Sequence, residues 1–302
     1  MKHLITLKGM TKQEIEELLD LARKIKRCPE SYADCLKNKT MLMFFEKASL
    51  RTRVSFEVGM TQLGGHAIYY DVKSSPVGKG ETIEDTAKTI SRYCDIIIAR
   101  LFCHETIEKI AGNSSIPVIN ALTDFSHPCQ ILSDFLTITE KKGDLKGLKM
   151  AFLGDGNNNV THSLIYGCKI TGMNLTVACP EEAMPQKQVI GTDAKIRITQ
   201  DAVEAAKDAD VIYTDSWMSY HVPKEQEEER IKMFRPYQVT KDIMDLAKPD
   251  AIFMNCLPAK RGYEQTAEVI EGPKSVVFDQ AENRLHMQKA IVLKLLNTGN
   301  KG

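Results

Sequence analysis

The strongest constraint on the fold is a polar stretch, residues 49–53 (Ser-Leu-Arg-Thr-Arg), that joins an apolar run to an amphipathic segment. The preceding run, residues 41–45, has the continuous apolar character of a buried parallel strand. In the following segment, residues 54–63, apolar residues recur at helical spacing. A parallel strand followed at once by a helix predicts an α/β fold, with the polar stretch at the carboxyl edge of a sheet.

The same stretch has the composition of an anion receptor. A helix N-terminus presents unpaired N–H groups and the positive end of the helix dipole. Ser49 and Thr52 add two hydroxyls, and Arg51 and Arg53 add two guanidiniums. Such a set suits a doubly charged oxyanion, most simply a phosphate. A capped helix start with solvated arginines is the alternative.

Composition excludes several classes of protein. The 302 residues are enough for two domains, and 40 acidic residues balance 40 basic ones, so no global field attracts nucleic acid or an anionic membrane. No secretory segment is evident, and no apolar stretch is long enough to span a bilayer. Eight cysteines without a C-x-x-C pair and seven histidines without metal-ligand spacing indicate a reduced, cytoplasmic enzyme with no metal site.

The chain is expected to form two doubly wound parallel-sheet domains. A charged, glycine-containing stretch after residue 140 marks the predicted boundary. The first domain would comprise residues 1–140, with a C-terminal helix at about 283–302 returning to it, and the second residues 141–282. A capping box at Thr11 and Glu14 begins the first helix. Predicted strands lie at residues 41–46, 66–71, 95–99, 116–122, 149–154, 174–180, 209–215 and 250–258.

Further polar side chains follow other predicted strands. Arg100 ends one strand, and His127 lies beside the N-terminus of a helix predicted at residues 129–140, where the positive helix end disfavours imidazolium. A neutral His127 ring can still donate one N–H to a carbonyl oxygen. In the second half, Asp215 and Cys256 end two strands. Purely structural roles for Arg100 and His127 are the alternative.

Three segments allow less specific interpretations. The loop at residues 72–81, with Ser75 and Lys79, is either a mobile surface connection or a donor of a cation and a hydroxyl to a phosphate. Residues 154–159 resemble half of a dinucleotide fingerprint, but the third glycine and the later acidic residue are missing, so amides for a zwitterionic ligand are favoured. The charged run at residues 225–230 is expected to be a solvated helix face.

Five motifs occur in order along the chain: Phe45-x-x-x-Ser49-x-Arg51-Thr52-Arg53, His127-Pro-x-Gln130, Asp215-x-Trp217, Cys256-Leu257-Pro258 and Ala281-Glu-Asn-Arg284. Together they resemble the aspartate and ornithine carbamoyltransferases, and most closely the ornithine-specific branch, over nearly the whole chain. The resemblance implies transfer of the carbamoyl group from carbamoyl phosphate to the side-chain amine of L-ornithine, in arginine synthesis or breakdown. It implies no cofactor, and a homotrimer or multiple of trimers with shared active sites.

The resemblance also implies roles for individual residues. Carbamoyl phosphate would be bound by Ser49, Leu50, Arg51, Thr52, Lys79, Arg100, His127, Gln130, Cys256, Leu257 and Arg284. L-Ornithine would be bound by Asn158, Asn159, Asp215, Ser219, Tyr220, Cys256 and Leu257. The catalytic residues would be Arg51, Arg100, His127, Asp215, Cys256 and Arg284. Lys79 would reach the site of a neighbouring subunit.

This chain departs from the family pattern at three places, all on the amino-acid side. Asn255 stands where a histidine is usual, and Ser219-Tyr220-His221 replaces Ser-Met-Gly. An additional asparagine within residues 157–159 leaves open which one faces the substrate, although counting back from His162 favours Asn159.

Two other functions therefore stay open. One is carbamoyl transfer to putrescine, an acylated ornithine or aspartate, although Asp215 and Cys256 suit a cationic amine. The other is a non-catalytic protein that binds a phosphorylated metabolite.

Overall fold

The computed structural model describes residues 1–72, 80–218 and 222–298. The chain divides into two compact units, one formed by residues 1–136 together with the segment from residue 282 onward, the other by residues 137–281. Each unit contains one parallel sheet with helices packed on it. The predicted fold class is confirmed, including the return of the C-terminal helix to the first unit.

The first unit has four strands: β1 (Thr40–Phe45), β2 (His66–Asp71), β3 (Ile96–Arg100) and β4 (Val118–Leu122). Its helices are α1 (Lys12–Arg27), α2 (Leu50–Gln62), α3 (Ile83–Tyr93), α4 (His104–Asn113), the first part of α5 (Pro128–Lys142) and most of α12 (Val277–Leu296). The strands are all parallel and run in the order β2-β1-β3-β4. The order of addition therefore reverses between β1 and β3.

The second unit has five strands: β5 (Lys149–Leu153), β6 (Asn174–Ala178), β7 (Ile196–Thr199), β8 (Val211–Tyr213) and β9 (Ile252–Met254). Its described helices include α6 (Asn159–Thr171), α7 (Lys187–Ile190), α8 (Ala202–Ala206), α9 (Glu227–Phe234), α10 (Lys241–Leu246) and α11 (Ala267–Ile270). The parallel strands run in the order β7-β6-β5-β8-β9, which reverses between β5 and β8.

Burial explains why these segments form these elements. Strands β3 and β4 are buried along their whole length, as their largely apolar sequences predict, whereas the edge strand β2 is at most half-buried. Helix α1 buries one apolar face, and the capping box between Thr11 and Glu14 is confirmed. Within the described residues, none of the helices has the length and apolar character needed to cross a membrane.

The topology places the candidate residues at two points. Open parallel sheets bind ligands beyond the carboxyl ends of their strands, where the strand order reverses. In the first unit this point lies after β1 and β3, which are followed by residues 49–53 and ended by Arg100. In the second unit it lies after β5 and β8, which lead into residues 154–159 and Asp215. Each unit therefore has its own predicted ligand-binding edge.

Candidate active site

The turn between β1 and α2 is built as an anion-binding helix start. Ser49 is the N-cap of α2, and its hydroxyl accepts a hydrogen bond from the Thr52 N–H at 3.3 Å. The first backbone bond of the helix runs from the Arg53 N–H to the Ser49 carbonyl. The N–H groups of Leu50 and Arg51 therefore stand at the positive end of α2, where an anion is favoured.

Two buried arginines converge on the hydroxyl of Thr52 in the same unit. Nη1 of Arg100 and Nη2 of Arg284 each lie 3.4 Å from Thr52 Oγ1, at the long end of hydrogen-bond distances. Arg100 is 4% exposed and Arg284 is 3% exposed. Two positive charges drawn to one buried oxygen repel each other, and a bound dianion would offset that repulsion.

Neighbouring amides orient the Arg284 guanidinium. Gln130 Oε1 accepts from Arg284 Nη1 at 2.6 Å, and Gln130 Nε2 donates to Asp134 at 2.8 Å. With its amide oxygen turned toward Arg284, Gln288 accepts from Nη2 at 2.9 Å and from Nε at 3.1 Å. Gln130 thus holds Arg284 in place through contacts that occupy both ends of its own amide.

Arg51 and Arg53 have different surroundings, although the sequence suggests the same role for both. Arg53 donates to Glu57 at 3.1 Å, and its guanidinium lies 3.9 Å from the centre of the Tyr69 ring. In the described part of the chain, the half-buried Arg51 makes no ion pair or side-chain hydrogen bond. Arg51 is therefore the available guanidinium of the motif, and Arg53 is engaged elsewhere in its own unit.

His127 lies directly before α5 and is buried among cationic groups of the first unit. Burial, followed by the nearby charges of Arg284 and Arg100, holds the pKa of His127 well below its ordinary value of 6.5. A neutral ring was predicted from the helix end alone, whereas burial and the two guanidiniums are the causes found. The ring can donate one N–H to an oxygen without carrying a charge.

This pKa predicts how stability depends on pH. Between the low pKa of folded His127 and the ordinary value of 6.5, the unfolded chain binds a proton that the folded chain does not. The free energy of unfolding should therefore fall as pH drops below 6.5, with His127 contributing about 1.4 kcal/mol at about pH 5.5. Urea denaturation at about pH 7.5 and about pH 5.5 should show a smaller pH effect for His127→Gln than for the wild type. Equal pH effects in both proteins would contradict this.

In the second unit, the glycines after β5 serve internal packing. Gly154 has φ +130°, and a Cβ there would lie 3.2 Å from the indole nitrogen of Trp217. A Cβ on Gly156 would meet the Ala183 carbonyl at 2.7 Å and the Cys179 sulfur at 2.8 Å. Close packing therefore explains why glycine is needed at both positions, and the partial resemblance to a dinucleotide fingerprint does not require nucleotide binding.

The asparagines that follow are used differently. Asn158 is the N-cap of α6: its Oδ1 accepts from the Thr161 N–H at 2.8 Å, and its Nδ2 donates to the Asp155 carbonyl at 2.8 Å. Asn157 is exposed, with Oδ1 3.2 Å from His162 Nε2. Asn159 is half-buried in the first turn of α6. Capping occupies Asn158, so Asn159 is the better placed of the two predicted ornithine ligands.

Asp215 and Cys256 come together at the ends of neighbouring strands. Strands β8 and β9 are paired, and the Cys256 thiol donates to Asp215 Oδ1 at 3.0 Å. Both side chains are only partly buried. Leu257 follows in a left-handed conformation, with φ +57°. A carboxylate, a thiol and the adjoining backbone thus form a small polar group suited to an amine.

Arg230 was missed by the sequence interpretation, which treated residues 225–230 as a solvated helix face. Arg230 lies on α9, and its Nη2 forms an ion pair with the buried Asp155 at 2.6 Å. Its Nε donates to the Trp217 carbonyl at 2.8 Å. Arg230 thus ties the turn after β5 to the turn after β8. The expectation was wrong for Arg230 because its ion pair with the buried Asp155, which lies 75 positions earlier in the chain, is more favourable than exposure of the guanidinium to solvent.

Loss of this ion pair should weaken the second unit. Arg230→Ala leaves the carboxylate of Asp155 buried without its cation, so we expect a loss of about 3 kcal/mol in the free energy of unfolding. Lys232→Ala is the matched control, because Lys232 is an exposed residue of the same helix. Urea denaturation of both variants tests this expectation. A loss below about 1 kcal/mol for Arg230→Ala would place the pair among weak surface ion pairs.

Some predicted residues fall outside the described part of the chain. These are Lys79, predicted to bind phosphate, Ser75, the hydroxyl considered with it, and Ser219 and Tyr220, predicted to bind ornithine. Of the others, Ser49, Leu50, Arg51, Thr52, Arg100, His127, Gln130 and Arg284 lie in the first unit, and Asn158, Asn159, Asp215, Cys256 and Leu257 lie in the second. No group of three or more His, Cys, Asp or Glu side chains suited to a metal ion occurs among the described residues.

Comparison with known proteins gives the class of the protein. Residues 2–140 match the carbamoyl-phosphate-binding domain model of the aspartate/ornithine carbamoyltransferases, and residues 146–295 match their aspartate/ornithine-binding domain model. The chain belongs to the aspartate/ornithine carbamoyltransferase family.

The relatives point to one branch of this family. Ornithine carbamoyltransferase of Methanosarcina acetivorans is 50% identical, over 98% of this chain and 99% of its own length. The catabolic ornithine carbamoyltransferase of Halobacterium salinarum is 46% identical, over 98% and 100% of the two chains. The solved structure of ornithine carbamoyltransferase from Pyrococcus furiosus gives a TM-score of 0.93 at 47% identity, covering 98% of this chain and 97% of that one.

Proposed function

We propose that this enzyme transfers the carbamoyl group of carbamoyl phosphate to the side-chain amine of L-ornithine, producing L-citrulline and phosphate. The observation that carries the proposal is the convergence of Arg100 and Arg284 on Thr52, near Arg51, whose guanidinium has no ion pair with the described residues, at the N-terminus of α2. The relatives named ornithine carbamoyltransferase support the proposal. They are about 50% identical to this chain, and the alignments cover almost their whole length.

The first unit has the groups that carbamoyl phosphate requires. Its phosphate would accept from the N–H groups of Leu50 and Arg51, from the hydroxyls of Ser49 and Thr52, and from the Arg51 guanidinium. These contacts use a helix N-terminus and a charged donor together. We assign residues 1–140 and the C-terminal helix to this substrate.

The carbonyl of carbamoyl phosphate would be polarised by a separate set of donors. Arg100 and Arg284 carry positive charge in a buried setting, and neutral His127 supplies an N–H. Donors held in place before the reaction stabilise charge that develops on an oxygen, typically by about 3–4 kcal/mol for each well-placed donor. Gln130 acts through Arg284, whose guanidinium it holds.

The second unit has the groups that a cationic amino acid requires. Asp215 and Cys256 would address the side-chain amine, with the Leu257 carbonyl as a further acceptor. Asn159 and the predicted Ser219 and Tyr220 would address the α-amino and carboxylate groups. We assign residues 141–282 to ornithine. Aspartate as acceptor would instead require arginine side chains for its second carboxylate.

The reaction forms a bond between the amine nitrogen and the carbonyl carbon and breaks the bond from that carbon to the phosphate oxygen. A free side-chain amine has a pKa of about 10.4, so the ammonium form must lose a proton before attack. Asp215 stabilises the ammonium and therefore positions it. The ammonium loses one proton to solvent, because the arginines that hold carbamoyl phosphate disfavour a further positive charge. The nitrogen loses a second proton after it attacks the carbonyl carbon, and that proton leaves with the phosphate. Bringing two bound substrates together supplies much of the remaining rate enhancement.

We further propose that the chain assembles as a homotrimer or a multiple of trimers in the cytoplasm. An apolar stripe on α2 supports assembly: Leu50, Val54 and Val58 are 76%, 45% and 37% exposed at helical spacing, and Ile68 on edge strand β2 is 41% exposed. The eight cysteines are all unpaired, which fits a reducing compartment. Light scattering that reports one chain per particle would contradict the assembly.

A comparison of acceptors tests the proposed substrate. With carbamoyl phosphate present, L-ornithine should give a kcat/KM at least about 100-fold higher than putrescine, N-acetylornithine or L-aspartate, because both ends of ornithine are recognised, the amine by Asp215 and the other end by polar side chains. Mass spectrometry should identify L-citrulline as the product. A preference for another acceptor would replace the substrate assignment, and absence of transfer to every acceptor would favour a non-catalytic binding protein.

A further inference from the structure

Asn255 is buried in the second unit at the end of β9, directly before Cys256 and Leu257. It is 0% exposed, and three of its polar groups are engaged. Its N–H donates to Gln280 Oε1 at 3.0 Å, its Nδ2 donates to Gln265 Oε1 at 3.0 Å, and its Oδ1 accepts from the Leu257 N–H at 2.8 Å. Asn255 therefore connects Gln280, Gln265 and Leu257 through hydrogen bonds, in addition to filling space in the core.

The partners of Asn255 are themselves fixed. Gln280 is 1% exposed and donates to the Tyr213 hydroxyl at 3.1 Å, which links the network to strand β8. Gln265 is 0% exposed and donates to the Lys260 carbonyl at 3.3 Å, which links it to the segment after Leu257. Buried amides with satisfied hydrogen bonds hold one arrangement, because an alternative would leave polar groups unpaired.

The contact with Leu257 has a specific consequence for the backbone. Leu257 has φ +57°, a left-handed conformation that residues with a branched side chain rarely adopt. The Asn255 Oδ1 bond to the N–H two residues on closes an Asx-type turn around this strained position. Cys256 lies inside that turn, and its thiol meets Asp215 at 3.0 Å.

We propose that Asn255 is a positioning residue for the amine end of the acceptor site. Its side chain holds Leu257 in the left-handed conformation, and this fixes the Cys256 thiol against Asp215 and the direction of the Leu257 carbonyl. The inference rests on the proposed function for its substrate. It predicts that changes at Asn255 affect the acceptor strongly and carbamoyl phosphate little, because most of the proposed ligands of carbamoyl phosphate lie in the first unit.

Three variants test this role. Asn255→Ala removes the oxygen that accepts from Leu257 and should raise the KM for ornithine about tenfold, with the KM for carbamoyl phosphate changed less than about twofold. Asn255→Ser should recover part of this loss, because a serine oxygen can accept the same N–H more weakly. Thr171→Val is the matched control: it removes a buried hydrogen bond of 2.9 Å to the Gly167 carbonyl in α6 of the same unit. This control should lower Tm yet leave both KM values as in the wild type.

A second measurement does not depend on the substrate. Alkylation of Cys256 by iodoacetamide, followed by peptide mass spectrometry, should be several-fold faster in Asn255→Ala than in the wild type, with exposed Cys28 as internal reference. If the wild type forms no citrulline, the proposed function fails while this comparison still tests the turn. Unchanged alkylation of Cys256, an unchanged KM for ornithine in an active enzyme, or an equal rise in KM for Thr171→Val would each overturn the inference.

Discussion

Replacing Arg51 with alanine is expected to lower kcat/KM for carbamoyl phosphate by about 10²–10³-fold, the loss typical of removing one charge-stabilising donor. Among the described residues, Arg51 has no internal ion pair or side-chain hydrogen bond to lose, so the free energy of unfolding should stay within about 0.5 kcal/mol of the wild type. Steady-state kinetics and urea denaturation of the same preparation measure both quantities.

Arg53→Ala is the matched control for this prediction. Arg53 lies two residues after Arg51 in the same helix, but its guanidinium contacts Glu57 and Tyr69. We expect kcat/KM for carbamoyl phosphate to stay within about threefold of the wild type. The Arg53 guanidinium is engaged by Glu57 and Tyr69, so its loss removes an exposed ion pair and a ring contact and no proposed contact with the phosphate. Normal saturation of Arg51→Ala with carbamoyl phosphate, or an equal loss in both variants, would contradict the assignment of Arg51 to the phosphate.

Asp215→Asn is expected to have the second large effect, and on the other substrate. The change keeps the shape of the side chain but removes the charge that positions an ammonium, so kcat/KM for ornithine should fall by about 10²-fold or more. Binding of inorganic phosphate, measured by calorimetry, should be unchanged because the proposed phosphate ligands lie in the first unit. The thiol of Cys256 can still donate to the amide oxygen that replaces Asp215 Oδ1.

The result that would contradict this assignment is specific. If Asp215→Asn weakened phosphate binding and left saturation by ornithine unaltered, the roles of the two units would have to be exchanged. Asp250→Asn serves as the control for a lost acidic charge in the second unit, because Asp250 is exposed and pairs with Lys142. Kinetics of this control should match the wild type within about twofold.

The fold could be predicted from the sequence where the segments are largely apolar. The largely apolar strands β1, β3 and β4 are buried except for the first residue of β1, and the predicted limits lie within two residues of those observed. Strand β7 was not predicted, since it has only four residues, Ile196–Thr199, and only Ile196 is buried at this edge of the second sheet. The C-terminal helix begins at Val277, before the predicted start near residue 283, because Val277 is part of the buried core.

The candidate site was predictable to the extent that topology brings strand ends together. Ser49, Thr52 and Arg100 lie at one edge because β1 and β3 are neighbours, and Asp215 meets Cys256 because β8 and β9 are neighbours. Individual contacts could not be predicted in this way. Arg53 is turned toward Tyr69, and Arg230 reaches Asp155 across 75 positions of the chain. The partner of each side chain depends on packing in three dimensions, which cannot be deduced from the periodicity of apolar residues in the sequence.

The most direct test of the central claim is to follow the carbamoyl group itself. Carbamoyl phosphate labelled with ¹³C at the carbonyl carbon is mixed with L-ornithine and the enzyme. The amount of labelled citrulline and the amount of phosphate released are then measured by NMR. The account predicts one labelled citrulline for each phosphate released, no release above the spontaneous rate without ornithine, and release slowed by about 10²–10³-fold with Arg51→Ala. Phosphate release without labelled citrulline, or a label found on another product, would contradict it.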